Sequence, residues 1–479
     1  MKEILIGRDN ERRDLLKWID SERSEFIAIY GRRRVGKTFL VRKTIERFTF
    51  SFSGSYEATL KEQLLNFGLA LRTYFKVPDL QIPENWTLAF HSLRKLIEGM
   101  GNKKNVIFLD ELPWIDTPKS GFLSALEYFW NSWASARDDI KLIVCGSATS
   151  WIISKIIRAK GGLHNRITHS ILLEPFHLSA CEKYFKAYGF RFSRMQIAEC
   201  YMVMGGIPYY FSLMDNGESL TQNIDRLFFH VNGQLRHEFQ NLYRALFKNH
   251  QAYVSVIETL AQKGIGLSRQ EIIKKTGLSD NGLFSKMLEE LELCGFIRSY
   301  QPFKNERTTP TIRRTSRNTL YQLIDFYSLF YLKFNKQQSN FWESRYNSPI
   351  VNAWKGLTFE MLCQYHIEEI KIALGIGDVH TKTSSWRGEY DGARTQIDMV
   401  IDRNDDSINL CEMKFSTSEF SIDKHYAEIL ERKIEIFRED TESSKNLLLT
   451  FITTKGIHPG KYSYLAQRQA NLHDLFGHS

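Results

Sequence analysis

A multidomain α/β fold is what this sequence predicts, on three observations. A chain of 479 residues exceeds one ordinary core, so roughly two to four domains are expected. Runs at 26–30, 106–109 and 141–145, apolar but for Lys141, have the length of strands buried on both faces, and each is followed by a glycine or an acid. Downstream the pattern changes, first to short helices of apolar periodicity between 253 and 293, then to paired strands between 396 and 414.

The first run leads into residues 31–38, Gly-Arg-Arg-Arg-Val-Gly-Lys-Thr. Gly31 and Gly36 permit the tight curl that points successive N–H groups at phosphate oxygens. Lys37 is placed to reach β- and γ-phosphates, and the Thr38 hydroxyl to ligate Mg²⁺. A helix is expected over 38–48, its N-terminus facing the anion. Arg32, Arg33 and Arg34 fill variable positions, either contacting phosphates or nucleic acid or, as such positions more often are, solvated; they are read as solvated, outside the site. The second run delivers Asp110, expected in the Mg²⁺ shell, and Glu111, expected to polarise the attacking water. Its alternative is a pair of acids capping the next turn. The third run ends at Gly146 and Ser147, where Ser147 either senses the γ-phosphate or begins a turn.

With these motifs the chain resembles the archaeal-type ATPases of the AAA+/STAND group of P-loop ATPases. Residues 6–11, Ile-Gly-Arg-Asp-Asn-Glu, resemble that family's N-terminal Gly-Arg box, which implies that Arg8 lies near the nucleotide. Residues 161–176, with Asn165 and Arg166, resemble the segment that carries an arginine finger. Residues 205–210, Gly-Gly-Ile-Pro-Tyr-Tyr, resemble the Gly-x-Pro turn of the lid, which brings Pro208 to the base. Trp114, closing the extension of the Asp-Glu strand, is typical too. The resemblance covers roughly residues 1–245. It implies an ASCE-type core over 1–175, a helical lid over 176–245, and ATP and Mg²⁺ as cofactors. Read on its own, Arg166 is equally a surface arginine, and Pro208 an ordinary helix-start proline.

Over 246–315 three helices and a two-stranded wing predict a winged helix. Ser268 caps the second helix, and the third runs from Asn281 to a stop at Cys294 and Gly295. Asn281, Ser285, Lys286 and the wing residues Arg307, Arg313 and Arg314 would face DNA. The third helix has little positive charge, so a protein-packing role is the alternative. An aromatic strand-to-helix block at 321–334 predicts packing between domains, in a helical connector over 316–350.

The last module, 351–479, places Asp398 on one short strand and Glu412 and Lys414 on the next, with the turn 403–407 between them. Period-two alternation puts Glu412 and Lys414 on one face, and Glu360 on an upstream helix is expected to reach the same place. This pattern is similar to a PD-(D/E)xK nuclease, a restriction-endonuclease-like fold, with Ile397 at the family's proline position. The likeness implies Asp398 and Glu412 as Mg²⁺ ligands and Lys414 at the scissile phosphate. Acid and Glu-x-Lys hairpins also occur as plain solvated sheet faces. Trp386, Lys382, Arg387 and Arg394 either line a nucleic-acid groove or sit in an exposed loop.

A net charge of +9 suits a polyanionic partner, and 43% hydrophobic with 25% charged residues is the composition of a globular protein. No apolar stretch approaches the roughly 20 residues that span a bilayer, and the first residues lack a signal peptide's apolar core. A cytoplasmic protein without a membrane is therefore expected. The six cysteines are spaced as buried reduced thiols. The whole reads as an ATP-hydrolysing ATPase coupled to a Mg²⁺-dependent, nuclease-like domain that binds DNA. Expected partners are ATP or ADP and DNA, with a homo-oligomer or protein partner left open. The rival is a signalling or scaffold switch whose degenerate nuclease fold binds proteins.

Overall fold

The computed structural model describes residues 4–101, 104–158, 163–303, 319–390 and 392–477. Five strands, β1 (Glu25–Tyr30), β2 (Phe50–Ser53), β3 (Asn105–Asp110), β4 (Ile140–Gly146) and β5 (His169–Leu172), form a parallel sheet in the order β2-β3-β4-β1-β5. All six residues of β3 and all seven of β4 are buried, which explains the apolar runs at 106–109 and 142–145 within them. The helix after the glycine-rich loop spans Lys37–Thr44, shorter than the 38–48 expected. It ends where Ile45 turns extended and tucks its side chain into the core.

The helices Leu178–Ala187, Arg194–Met204 and Pro208–Ser212 follow β5. Next come the helices Glu238–Leu246, His250–Ala261, Arg269–Thr276 and Gly282–Leu293. Beside them β6 (Leu267–Ser268), β7 (Ile297–Tyr300) and β8 (Leu320–Leu323) form an antiparallel sheet in the order β6-β8-β7. Because β8 pairs with both other strands, this module runs past residue 315, where the sequence reading closed it. The wing arginines 307, 313 and 314 lie outside the described residues. Asn281 is spent locally: its side chain caps the Gly282–Leu293 helix by accepting from the Phe284 amide.

After the Phe326–Phe334 helix, the Pro349–Tyr365 helix leads into the last sheet. Here β9 (Thr381–Tyr390), β10 (Ala393–Arg403) and β11 (Ser407–Lys414) are antiparallel, while β12 (Asn446–Thr453) and β13 (Arg468–Asn471) run parallel to β11. The Lys424–Thr441 helix covers one face through Leu430, Ile436 and Phe437. Trp386 lies on β9, not in a loop. It is 2% exposed and donates from Nε1 to Asp440, so it serves the core and not a groove. A single apolar cluster runs from Leu15 through the helices that follow β5 to Leu475 and Phe476, so the sequence modules are fused by packing. All six cysteines are buried and free. Among the described residues no helix is long and apolar enough to cross a membrane.

Candidate nucleotide cleft and acid–lysine cluster

The loop after β1 owes its shape to backbone that few residues tolerate. Gly31 has φ 137°, and a Cβ there would lie 2.3 Å from the Leu173 carbonyl oxygen. Gly36, at φ 95°, turns the chain into the Lys37–Thr44 helix. Lys37 is buried, and its Nζ donates to the carbonyls of Gly31 and Arg32, 2.8 Å each, which holds the ammonium over the loop. Burial lowers its pKa. The Thr38 hydroxyl donates to Asp110 Oδ2 at 2.8 Å, and Asp110 Oδ1 accepts from the Glu111 amide. Glu111 sits at φ 49°, a left-handed conformation uncommon outside glycine. Its Oε2 accepts from both the amide (3.0 Å) and the hydroxyl (2.8 Å) of Ser147. Sequence-distant residues from three parallel strands thus meet at the carboxyl ends of the sheet.

Arg8 closes one side, donating to Glu174 O (2.6 Å) and Val35 O (3.4 Å) and stacking on Phe176. Burial lowers its pKa against the pull of Glu11. Pro208 begins the helix on the other side, beside Tyr209, whose ring carries Arg34 at 3.9 Å. Arg8, Lys37, Thr38, Glu111, Ser147 and Pro208 all line one cleft of about 1080 Å³. Its lining also includes the apolar side chains of Ile4, Ile6, Tyr184 and Phe211, which suit a planar base. The loop amides, Lys37 and the hydroxyl–carboxylate pair of Thr38 and Asp110 are the donor set that a Mg²⁺–nucleotide requires, and these residues fit it.

Arg166 is not brought to this cleft. It is exposed in the turn before β5, and the neighbouring Thr168 amide bonds to Phe26 O near the start of β1. That is the end of the parallel sheet opposite the phosphate loop, because β1 and β5 run the same way. Within one chain Arg166 therefore cannot act as a finger. The three loop arginines are not solvated either. Arg32 is buried against Asp325, Arg34 pairs with Glu238, and Arg33 lies over the Trp114 ring at 6.0 Å. Runs of arginine carry no signal of distant acids, so the sequence could not show this.

In the last sheet Met399 pairs with Cys411, and continuing that register sets Asp398 across from Glu412. Residues opposite each other in an antiparallel pair share a face, and on its other side β10 shifts register against β9 between Ile397 and Val400. Lys414 Nζ lies 3.4 Å from Glu412. Glu360, on the Pro349–Tyr365 helix, feels Asp398, Lys414 and Glu412. Burial first, and then the Asp398 charge, push its pKa up to about 8. Burial and Glu412 also raise Asp398. One turn beyond Glu360, Gln364 donates to the Asp398 carbonyl at 3.1 Å.

The cluster departs from the expected metal site in one respect. Among the described residues no three His, Cys, Asp or Glu side chains stand close enough to hold a metal ion. Glu412 is instead taken by two side chains that sequence reasoning missed. Lys433 forms an ion pair with it, and Tyr426 donates to it at 2.9 Å. Both project from the Lys424–Thr441 helix seven residues apart, one face of a helix, but nothing in the sequence points that face at Glu412. Asp398 and Glu412 offer two carboxylates, and the fit to Mg²⁺ is incomplete.

A phosphate loop, a hydroxyl–carboxylate pair and an acid on parallel strand ends define a P-loop ATPase. Residues 5–214 match the model of an ATPase domain found predominantly in Archaea, so this span carries an archaeal-type ATPase domain. A Walker-type ATPase of Pyrococcus abyssi is 18% identical, with 70% of this chain and 97% of that chain covered at a TM-score of 0.50, a likeness of fold. An uncharacterized protein of Methanocaldococcus jannaschii is 25% identical over 427 residues, 86% of this chain and 88% of its own length. The ORC2 protein of Aeropyrum pernix, solved in ADPNP–ADP complexes, is 12% identical, with 69% of this chain and 95% of that chain covered at a TM-score of 0.40.

Proposed function

We propose that this chain is an ATP-hydrolysing switch whose nucleotide state controls a nuclease-like C-terminal domain that engages DNA. The observation that carries the reading is the convergence of Lys37, the Thr38–Asp110 pair and Glu111 on one cleft. Bound Mg²⁺–ATP would supply the scissile anhydride and the cation that neutralises its charge. Thr38 and Asp110 would hold the cation, the loop amides and Lys37 the phosphates, with Arg8 and Pro208 bordering the nucleotide. Glu111 would polarise water, oriented by the grip of Ser147 on its other oxygen. Arg166, exposed at the far end of the sheet, would serve only the nucleotide of a neighbouring copy.

At the acid–lysine cluster, crowded and partly buried carboxyls with raised pKa values beside two lysines support a functional site there. Lys414 and Lys433 supply positive charge for a phosphodiester, and Asp398, Glu412 and Glu360 supply the acids. A second reading, a switch whose C-terminal domain binds proteins, is favoured by the capture of Glu412 by Lys433 and Tyr426. In the three-stranded module, the Gly282–Leu293 helix exposes Leu283, Ser285, Lys286 and Glu289, an apolar and mixed-charge face that argues little for DNA at that point.

Nucleotide binding, ATP turnover and Mg²⁺- or Mn²⁺-dependent plasmid cleavage test the reading together. Lys37→Ala should abolish MgATP binding, and Glu111→Gln should bind but turn over slowly. Asp398→Ala and Lys414→Ala should each stop cleavage while sparing turnover. A parent protein that hydrolyses ATP but never cuts DNA moves the conclusion to the second reading.

A further inference from the structure

The phosphate loop is gripped from outside its own domain. Arg32 is 7% exposed and pairs with Asp325, which is 1% exposed and 293 residues away. Asp325 is itself fixed. It caps the Phe326–Phe334 helix by accepting from the Ser328 amide (3.1 Å) and hydroxyl (2.5 Å), and Ser328 bonds Tyr243 at 2.9 Å. Arg34 makes a two-pronged contact with Glu238: Nη2 donates to Oε2 at 2.7 Å, and Nε lies 2.6 Å from Oε1. Glu238 opens the Glu238–Leu246 helix. Both acids fall beyond residue 214, outside the segment that matches the ATPase domain.

These contacts act on the atoms that would hold phosphate. The Arg32 carbonyl is one of the two that hold Lys37, so displacing Arg32 displaces the ammonium. Arg34 has φ 72°, a left-handed conformation that a non-glycine residue keeps only when its surroundings hold it. Glu238 and the Tyr209 ring supply that hold. We propose that Asp325 and Glu238 are positioning residues of the phosphate loop, clamping it through Arg32 and Arg34. Nucleotide affinity and the docking of the downstream helices onto the loop then form one linked equilibrium. The inference rests on the nucleotide reading above. By reciprocity, a nucleotide that prefers the clamped loop tightens the Glu238–Leu246 and Phe326–Phe334 helices by the same factor that they tighten its binding.

The test uses the full chain, with MgADP as the probe. Its dissociation constant is measured by titration calorimetry, and hydrogen exchange over 238–246 and 326–334 is followed with and without MgADP. Asp325→Asn keeps the helix cap and removes only the charge. It should weaken MgADP about tenfold or more and abolish the nucleotide-induced slowing of exchange in both helices. Glu238→Gln, a milder change, should move both readouts in the same direction. Adding Arg32→Gln to Asp325→Asn should cost no further affinity, since both remove one contact. Unchanged affinity in folded Asp325→Asn and Glu238→Gln, with Lys37→Ala still failing to bind, overturns this inference alone. A parent protein that does not bind MgADP overturns the nucleotide reading as well. A lowered melting temperature with unchanged affinity makes both acids structural and overturns the clamp.

Discussion

Replacing Lys355 by methionine should loosen the seam between the Arg194–Met204 helix and the C-terminal half. Lys355, 2% exposed, lies on the Pro349–Tyr365 helix, and its Nζ is 3.1 Å from Glu199 on the Arg194–Met204 helix. Tyr346 donates to the other Glu199 oxygen, and its ring lies 3.5 Å from the Lys355 ammonium. Burial lowers the Lys355 pKa and the Glu199 charge resists that fall, so removing either partner strands the other. Breaking a buried pair by removing one partner costs about 3–5 kcal/mol. The Tyr346 hydroxyl still solvates Glu199, which sets the expectation for Lys355→Met at the lower end, about 3 kcal/mol. At about 1.4 kcal/mol per factor of ten, that is roughly a 100-fold loss of protection in native-state hydrogen exchange over 194–204 and 349–365. The double variant Glu199→Gln with Lys355→Met buries no charge and keeps the tyrosine contact, so it should recover most of the protection. Protection within about threefold of the parent in Lys355→Met, less than about 1 kcal/mol, would refute the claim that this pair ties the seam. The helix also carries Glu360 and Gln364, so the same variant should change the acid–lysine cluster without touching it.

Two further variants separate strain from contact. Gly31→Ala places a Cβ 2.3 Å from Leu173 O at φ 137°, and should abolish nucleotide binding and lower the melting temperature. Gly36→Ala meets no atom closer than 4.0 Å and bears only the strain of φ 95°, about 1–3 kcal/mol, so calorimetry should find it the milder of the two. His366 gives a pH dependence. It is buried, with Nε2 accepting from the Leu178 amide and Nδ1 against Leu362 O, facing Glu369, His177, Tyr365 and Tyr201. Burial takes its pKa from 6.5 to about 4, outweighing the pull of Glu369. Between those values the unfolded chain binds more protons, so its contribution is present above pH 6.5 and fades as pH falls toward 4. His177, raised by its bond to Glu369, takes up its proton above pH 6.5, so its contribution is already complete below that value and stays flat across the same window. Melting curves from pH 7 to 4 should fall for the parent and flatten for His366→Gln.

The arrangement of the candidate nucleotide cleft was legible in the sequence because its parts are local. Gly31, Gly36, Lys37 and Thr38 sit in one loop, and Asp110 and Glu111 end one strand, so spacing and hydropathy alone placed them on a parallel sheet. The β10–β11 hairpin was legible for the same reason: alternation over adjacent strands sets Glu412 and Lys414 on one face. What only the tertiary structure decided involves partners that pair across hundreds of residues. Arg32, Arg33 and Arg34 look solvated in the chain, yet folding buries Arg32 against Asp325 and clips Arg34 to Glu238. Glu412 looks like a waiting ligand until the Lys424–Thr441 helix brings Lys433 and Tyr426 onto it. That Arg166 lies away from the cleft of its own chain follows only from the direction of β5, which sets it at the opposite end of the sheet. Local motifs record which atoms a backbone segment can present. The burial of a charge depends on where an opposite charge lands, and packing alone sets that.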